Sequence, residues 1–276
     1  MKKHFLKAVK NKDVKEKIGF DVVGNIAIVE IPEELRKQEK EIAKNIAETQ
    51  PHIKTVCKKN SERLGEYRLW KLKVIFGPKK TETIHSEYGC KYKVDVAKVY
   101  FSPREGTERQ RIANQVKKGE HVMVMFSGVA PFAIAIAKKH PDANVYAVEI
   151  NSHGHRYAKE NVKLNHVTAL VTPILGDVRK KCVPYFGKCD RVIMPLPKDA
   201  HLFLNVAIKC LKPEGGIIHF YHWAPEDNPF EDAIDLLKDA VLAEDDRKIK
   251  ILNKHKVLPY GPRMYKICID AYIKSN

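Results

Sequence analysis

Between Val96 and Arg111 the chain reads VAKVYFSPREGTERQR. Among the groups within ten residues are an aromatic ring (Tyr100), two guanidiniums (Arg104 and Arg109) and a carboxylate, Glu108. A ring to stack on, cations for a phosphate or a carbonyl oxygen, and a base are the groups needed to handle a nucleobase. The pattern predicts that an apolar, strand-like run stops at Pro103. A helix is then expected to open at Thr107, with Thr107 and Gln110 spaced as a capping box. Each residue also has an ordinary reading. Glu108 could complement a helix dipole, Arg104 could be a surface arginine, and Tyr100 could be core.

The elements that would have to position these groups fall into two patterns. Up to about residue 99 the chain reads as a small α+β domain. Val22–Ile31 looks like strand broken at Gly24-Asn25, and Pro32-Glu33-Glu34 opens a helix to about Glu48 with Leu35, Ile42 and Ile46 at helical spacing. Ile53–Cys57, Tyr67–Phe76 and Tyr88–Val96 read as strands. From residue 100 to 276 strands and helices alternate. Strands are expected at His121–Phe126, Asn144–Glu149, Ala169–Leu175, Arg191–Met194 and Gly216–His222, and helices at Pro131–His140, His153–Asn165, Lys198–Lys212 and Phe230–Ala243. Two closing strands, Ile249–Leu258 and Met264–Tyr272, suggest an antiparallel edge hairpin. Apolar strands alternating with helices imply a parallel sheet covered on both faces. With that hairpin, the pattern is an α/β class I methyltransferase (Rossmann-like) domain following a smaller α+β domain.

Three successive strand ends carry candidate cofactor ligands. The first runs into Met125-Phe126-Ser127-Gly128-Val129-Ala130-Pro131, a tight turn at a helix N-terminus. The second ends at Glu149, 21 residues after Gly128, at the spacing of a ribose-binding carboxylate. The third leads to Asp177, which could approach an adenine edge. Taken singly, Glu149 could be a surface acid and Asp177 a turn former; together they favour S-adenosylmethionine. The fourth strand ends in Met194-Pro195-Leu196-Pro197, where base methyltransferases place a proline-rich loop facing the target.

Bulk composition narrows the partners. The chain has 276 residues, 44% hydrophobic, and a formal net charge of +16. Residues 1–100 carry 23 Lys and Arg against 14 Asp and Glu, a net of +9, and the remainder supplies +7. An excess spread over both halves suits a polyanion, or a solubilising surface of the kind common in heat-adapted proteins. The start, MKKHFLKAVK, lacks the apolar stretch of a signal peptide. Six cysteines at 57, 90, 182, 189, 210 and 268 show no metal-type spacing. A soluble, cytoplasmic protein with reduced thiols, no membrane association and no metal is expected, acting as a monomer. His85, His201, His219 and His222 read as structural.

The Tyr100-Phe101-Ser102-Pro103-Arg104 and Thr107-Glu108-Arg109 motifs, with the Met125–Phe132 loop, resemble the archaeal and eukaryotic tRNA (guanine-N1)-methyltransferase family. Further matching segments are Gly65-Glu66-Tyr67-Arg68, Thr81–His85, Asp95–Val99 and Ile218–Tyr221. The resemblance implies methylation of guanosine N1 at position 37 of tRNA, just 3′ of the anticodon. It implies Glu108 as the base that takes the N1 proton, Arg104 as the cation that steadies it, and Arg68 as the donor to guanine O6. Tyr100, Arg109, Pro195 and Pro197 would meet the substrate. Phe126, Ser127, Gly128, Val129, Glu149, Ile150, Asp177, Val178 and Pro195 would hold S-adenosylmethionine.

Two residues depart from the family pattern: Pro195 where Asn is common, and Ala130 where a second glycine is usual. The chain also reads as a short form without the extra N-terminal domain that grips the tRNA elbow. Related enzymes transfer an aminocarboxypropyl group to, or methylate, a wyosine-type base at the same position. A non-catalytic RNA-binding relative is a third alternative, and a methyltransferase for protein or a small molecule a fourth.

Overall fold

The computed structural model describes residues 4–7, 17–61, 65, 67, 69–244 and 247–275. The chain divides into two compact units, Met1–Gly106 and Thr107–Asn276, so the division falls after Gly106 rather than at 99/100.

The first unit is built on a sheet ordered β1 (His4–Lys7), β2 (Lys17–Val23), β3 (Ile26–Val29), β4 (Thr55–Lys59) and β5 (Leu72–Phe76). β3 and β4 are parallel, and α1 (Glu39–Thr49) makes the crossover between them. Its Ile42, Ala43 and Ile46 pack with Phe20, Val22, Ala27, Val29 and Val56, as the helical spacing requires. Only the second half of the expected helix is α; Glu33–Gln38 is a 3-10 segment. A second sheet pairs β6 (Glu82–Glu87) with β7 (Cys90–Asp95). The β2–β3 turn docks against it. Gly24 has φ 55°, and a Cβ there would lie 2.2 Å from Thr83 Oγ1, so only glycine fits. The strand β6 was not expected, and Tyr67–Phe76 contributes a strand only over Leu72–Phe76.

The junction also differs from expectation. β7 stops at Asp95, and residues 96–102 form a turn and coil rather than strand. A 3-10 turn at Pro103–Glu105 runs directly into α2 (Gly106–Gln115). Pro103 starts this helix because its ring presets a helical φ and its missing N–H is no loss in a first turn. Thr107 therefore lies inside the helix and is exposed, so the capping box does not form.

The second unit carries seven strands: β8 (His121–Val124), β9 (Asn144–Glu149), β10 (Val171–Leu175), β11 (Arg191–Met194), β12 (Gly216–Pro225), β13 (Arg247–Gly261) and β14 (Met264–Ser275). Their order across the sheet is β10-β9-β8-β11-β12-β14-β13. The first five are parallel, and β14 inserts antiparallel between β12 and β13. The closing strands do form a hairpin, but its return strand lies inside the sheet. Helices α3 (Pro131–Lys139), α4 (Ser152–Leu164), α5 (Val178–Lys181), α6 (Leu204–Cys210) and α7 (Glu231–Leu242) join the strands. The helix expected at Lys198–Lys212 is shorter, because Asp199 has φ 61° and a 3-10 turn, Ala200–Phe203, precedes α6.

Beneath this sheet lies an ion pair that the strand pattern did not disclose. Arg191, on β11, is fully buried. It donates from Nε and Nη2 to the Glu120 carboxylate at 2.7 and 3.0 Å, and from Nη2 to the Gln115 carbonyl at 2.8 Å. Its Nη1 lies 2.6 Å from His219 Nε2 on β12. Removing one member of a buried pair strands the other's charge, at a cost of about 3–5 kcal/mol. Arg191→Met is therefore expected to lower the unfolding free energy by about that much in urea denaturation, and a loss below about 1 kcal/mol would mean Glu120 is rescued by water.

Candidate active site

The cofactor loop follows β8. Met125 extends the ladder to the Ile193 carbonyl, and the backbone then turns through three left-handed residues, Phe126 (φ 53°), Gly128 (φ 56°) and Ala130 (φ 65°). Ala130 thus occupies a conformation that favours glycine, and it does so immediately before Pro131 opens α3. The Gly128 N–H donates to Glu149 Oε2 at 2.6 Å, and the Asn151 N–H donates to Oε1 at 2.7 Å. These two donors aim the carboxylate at the end of β9. Gly154, in the first turn of α4, lets it stand there: a Cβ on Gly154 would lie 3.1 Å from Glu149 Cγ and 3.3 Å from the Gly128 carbonyl.

Ser127 Oγ is buried without a hydrogen-bond partner among the described residues. An unsatisfied hydroxyl costs about 1–3 kcal/mol, and a polar ligand at this loop would satisfy it. Ile150, the next residue after Glu149, is 38% exposed and offers an apolar face beside the carboxylate. These features fit an adenosyl cofactor: a carboxylate for ribose hydroxyls, an apolar surface for the purine, and an orphaned hydroxyl.

Other expected cofactor residues sit differently. Val129 is in the core, and its carbonyl accepts from Asn161 Nδ2 at 3.2 Å. Asp177 caps α5 through the Arg179 N–H, and both its oxygens also pair with the Arg179 guanidinium. That pairing, outweighing partial burial, lowers its pKa from the usual carboxylate value. Arg179 lies over Phe203, whose ring meets Phe126 edge-on at 5.1 Å. Val178 is buried behind this cluster. Pro195 is half-buried and Pro197 buried in the loop after β11.

The carboxylate of Glu108, on α2, is 3% exposed and held from three sides. Arg111, one turn along, donates from Nε to Oε2 and from Nη2 to Oε1, each at 2.8 Å. The Tyr221 hydroxyl donates a short hydrogen bond to Oε1. Burial, with the nearby Cys268 and Glu108, pushes the Tyr221 phenol well up, so it stays a donor. His255 Nε2, on β13, lies 3.4 Å from Oε2.

From Arg111 the network continues inward. Its Nη1 and Nη2 donate to Asp270 at 2.6 and 3.2 Å, and His219 Nδ1 lies 2.7 Å from Asp270 Oδ1. A guanidinium cannot accept a hydrogen bond, so Arg191 must donate to His219 Nε2. The histidine proton therefore sits on Nδ1 and donates to Asp270. Burial lowers the His219 pKa against the pull of Asp270, which agrees with a neutral ring. Burial alone would raise Asp270, but hydrogen bonds from His219 and Arg111 hold its carboxyl far below the usual range.

His219, Cys268 and Asp270 bring ligand-type atoms within 4.8 Å of one another. Two guanidiniums touch this cluster, and the buried Cys268 thiol, pushed well up, points to Asp270 as a donor. This is a hydrogen-bonded network of alternating charge rather than a cation site.

Of the remaining expected site residues, Arg68 lies outside the described residues. Arg104 faces Asp21 of its own unit at 3.3 Å, and the Tyr100 hydroxyl donates to Glu105 at 3.0 Å. Arg109 is only 2% exposed, which places its charge in the interior and not on a face open to a phosphate. Arg111, Tyr221, Asp270, His255 and Gly154 were not foreseen. Only Arg111 had a local signal, its i+3 spacing from Glu108.

A sheet ordered with its last strand inserted antiparallel, with a left-handed loop and a strand-end acid after two adjacent parallel strands, defines a class I S-adenosylmethionine-dependent methyltransferase. The comparisons narrow this. Residues 83–252 match the model of the TRM5/TYW2 methyltransferase domain, and residues 2–81 match a TYW2 N-terminal domain. The chain belongs to the TRM5/TYW2 methyltransferase family. It is 46% identical over 252 residues, 91% of this chain and 74% of the relative, to tRNA (guanine(37)-N(1))-methyltransferase Trm5b of Pyrococcus abyssi. The crystal structure of that protein superposes with a TM-score of 0.83, covering 92% of this chain and 74% of the other. Identity is 34% to tRNA 4-demethylwyosine(37)-methyltransferase Taw21 of Saccharolobus solfataricus, over 93% of this chain and 94% of that one. The Methanocaldococcus jannaschii TYW2 structure in complex with AdoMet is 29% identical at a TM-score of 0.72, covering 93% of this chain and all of the other.

Two outcomes follow. Because Glu149 is pinned by two backbone donors, Gly154→Ala forces overpacking of about 1–3 kcal/mol and should weaken S-adenosylmethionine binding about tenfold by calorimetry. Unchanged affinity would show that the carboxylate can yield. His219 is neutral when folded but takes a proton below about pH 6.5 when unfolded, so the unfolded state binds more protons there and stability falls as pH drops below about 6.5. Urea titrations at several pH values should show this slope, and His219→Gln should flatten it; an unchanged slope assigns the acid sensitivity to other groups.

Proposed function

We propose that this methyltransferase transfers a methyl group to N1 of guanosine 37 in the anticodon loop of tRNA, acting as a monomer in the cytoplasm. The observation that carries the reading is Glu108: a carboxylate buried on a rigid helix, with Oε1 occupied by two donors and Oε2 by one. Guanine N1 is a poor nucleophile until its proton leaves, and a fixed carboxylate is the group that removes it. Arg111 and Tyr221 keep Glu108 in one orientation before substrate arrives, so no reorganisation is needed during the reaction.

When bound, S-adenosylmethionine supplies an electrophilic methyl group. The chain's own groups do the rest. Glu149 and Ser127 hold the adenosyl part, and the loop at Pro195 faces the base with carbonyl groups only. Arg68 and Arg104 are proposed to meet the charge that develops toward guanine O6, and Tyr100 to stack on the ring. The first, basic unit is proposed to hold the RNA, in keeping with its net +9 over residues 1–100. An anticodon loop suits such a site because a base already outside a duplex is cheap to unstack. Buried cysteines agree with a reducing compartment, and among the described residues no helix is long and apolar enough to cross a membrane.

A second reading, aminocarboxypropyl transfer to, or methylation of, a wyosine-type base at position 37, is favoured by the match of residues 2–81 to a TYW2 N-terminal domain. Labelled S-adenosylmethionine with an unmodified tRNA transcript bearing guanosine 37, followed by nucleoside analysis, separates the two. N1-methylguanosine is expected; label appearing only on tRNA carrying 4-demethylwyosine would establish the second reading. Glu108→Gln should slow transfer by about 10²–10⁴ with cofactor affinity unchanged, whereas a loss under tenfold would reduce Glu108 to a structural role.

A further inference from the structure

We propose that His255 is the proton relay that connects Glu108 to solvent. The inference rests on Glu108 being the base, and it begins from what that role leaves unsolved. A base that takes a proton in every cycle must lose it before the next, and the Glu108 side chain is only 3% exposed.

Among the described residues, three side chains meet the Glu108 carboxylate. Arg111 binds both oxygens but carries no acceptor and stays charged. Tyr221 is itself fully buried and already donates its hydroxyl to Oε1. His255 alone combines a nitrogen that can accept with a side chain 39% exposed, and its Nε2 stands 3.4 Å from Oε2, the oxygen that carries one donor rather than two. The ring bridges the buried carboxylate and water.

Its surroundings suit the task. His255 lies on β13, the edge strand of the sheet, where one side of the strand has no neighbouring strand. Directly across the ladder is Cys268 on β14, whose thiol burial keeps neutral. From α2 it is faced by Glu108, with Arg111 locked between Glu108 and Asp270. Lys254 and Lys256 flank it along the strand.

The step balances without another reactant. The N1–H bond of the base breaks and its proton goes to Glu108 Oε2, while the N1 electron pair forms the bond to the methyl carbon as the methyl–sulfur bond of the donor breaks and leaves its electron pair on sulfur. The O–H proton then moves to the lone pair on His255 Nε2, and the ring releases a proton from Nδ1 to water. Exchange at the exposed ring restores the tautomer with Nε2 free.

The test compares His255→Ala and His255→Gln with Glu108→Gln in the full chain, using S-adenosylmethionine and a tRNA transcript with guanosine 37. Circular dichroism and cofactor calorimetry verify that each variant is folded and loaded. Both His255 variants should turn over more slowly by about tenfold or more, less than the 10²–10⁴ expected for a base that touches substrate. Added imidazole should restore turnover to His255→Ala. Glu108→Gln should be slow and unresponsive to imidazole. Turnover of the His255 variants equal to the unaltered protein, or a loss that imidazole does not repair in a folded, loaded protein, overturns the relay. Transfer preserved in Glu108→Gln would instead overturn the base assignment, so the two failures are told apart.

Discussion

The second unit is organised around one continuous run of buried and half-buried charged and polar groups: Glu120, Arg191, the neutral His219, Asp270, Arg111 and Glu108, each bonded to the next. Charges removed from water are tolerated only when every one is paired and hydrogen-bonded. The run therefore fixes more than its own members. It ties α2 to strands β11, β12 and β14, and it dictates the tautomer of His219. At its outer end it leaves a carboxylate with defined geometry, so the position of the candidate base follows from the electrostatics of the core.

The cofactor side is held by different means. There the control is backbone geometry: three left-handed residues in five bend the chain so that the Gly128 N–H points at Glu149. Ala130 adopts the same left-handed conformation as Gly128, at a cost of about 1–2 kcal/mol. Gly154 is the less conspicuous requirement, since its missing side chain makes room for the acid.

Much of this was legible locally. The alternation of apolar strands and helices located the parallel strands of the second unit to within a few residues, because a strand buried on both faces must be apolar throughout. Glu149 and Gly128 were readable because strand-end spacing is local. Other readings failed where a local rule met a stronger neighbour. Pro103 started the helix that Thr107 was expected to cap, and Asp199 in a left-handed conformation delayed α6. Spacing also did not disclose that Asp177 pairs with Arg179 two residues on, or that Arg109 is buried.

The chain's sequence alone determined the class of fold and the tight turn after the first parallel strand, and it marked Glu108 as the candidate base, since strand and helix patterns and turn signals are local. Tertiary structure alone decided what surrounds that carboxylate. Tyr221, His255 and Asp270 lie 113, 147 and 162 positions beyond Glu108 and reach it or its partner Arg111 only because β14 inserts between β12 and β13. No periodicity encodes such a meeting. Buried charge must find its partners in space, and strand order, not sequence separation, sets which groups are near.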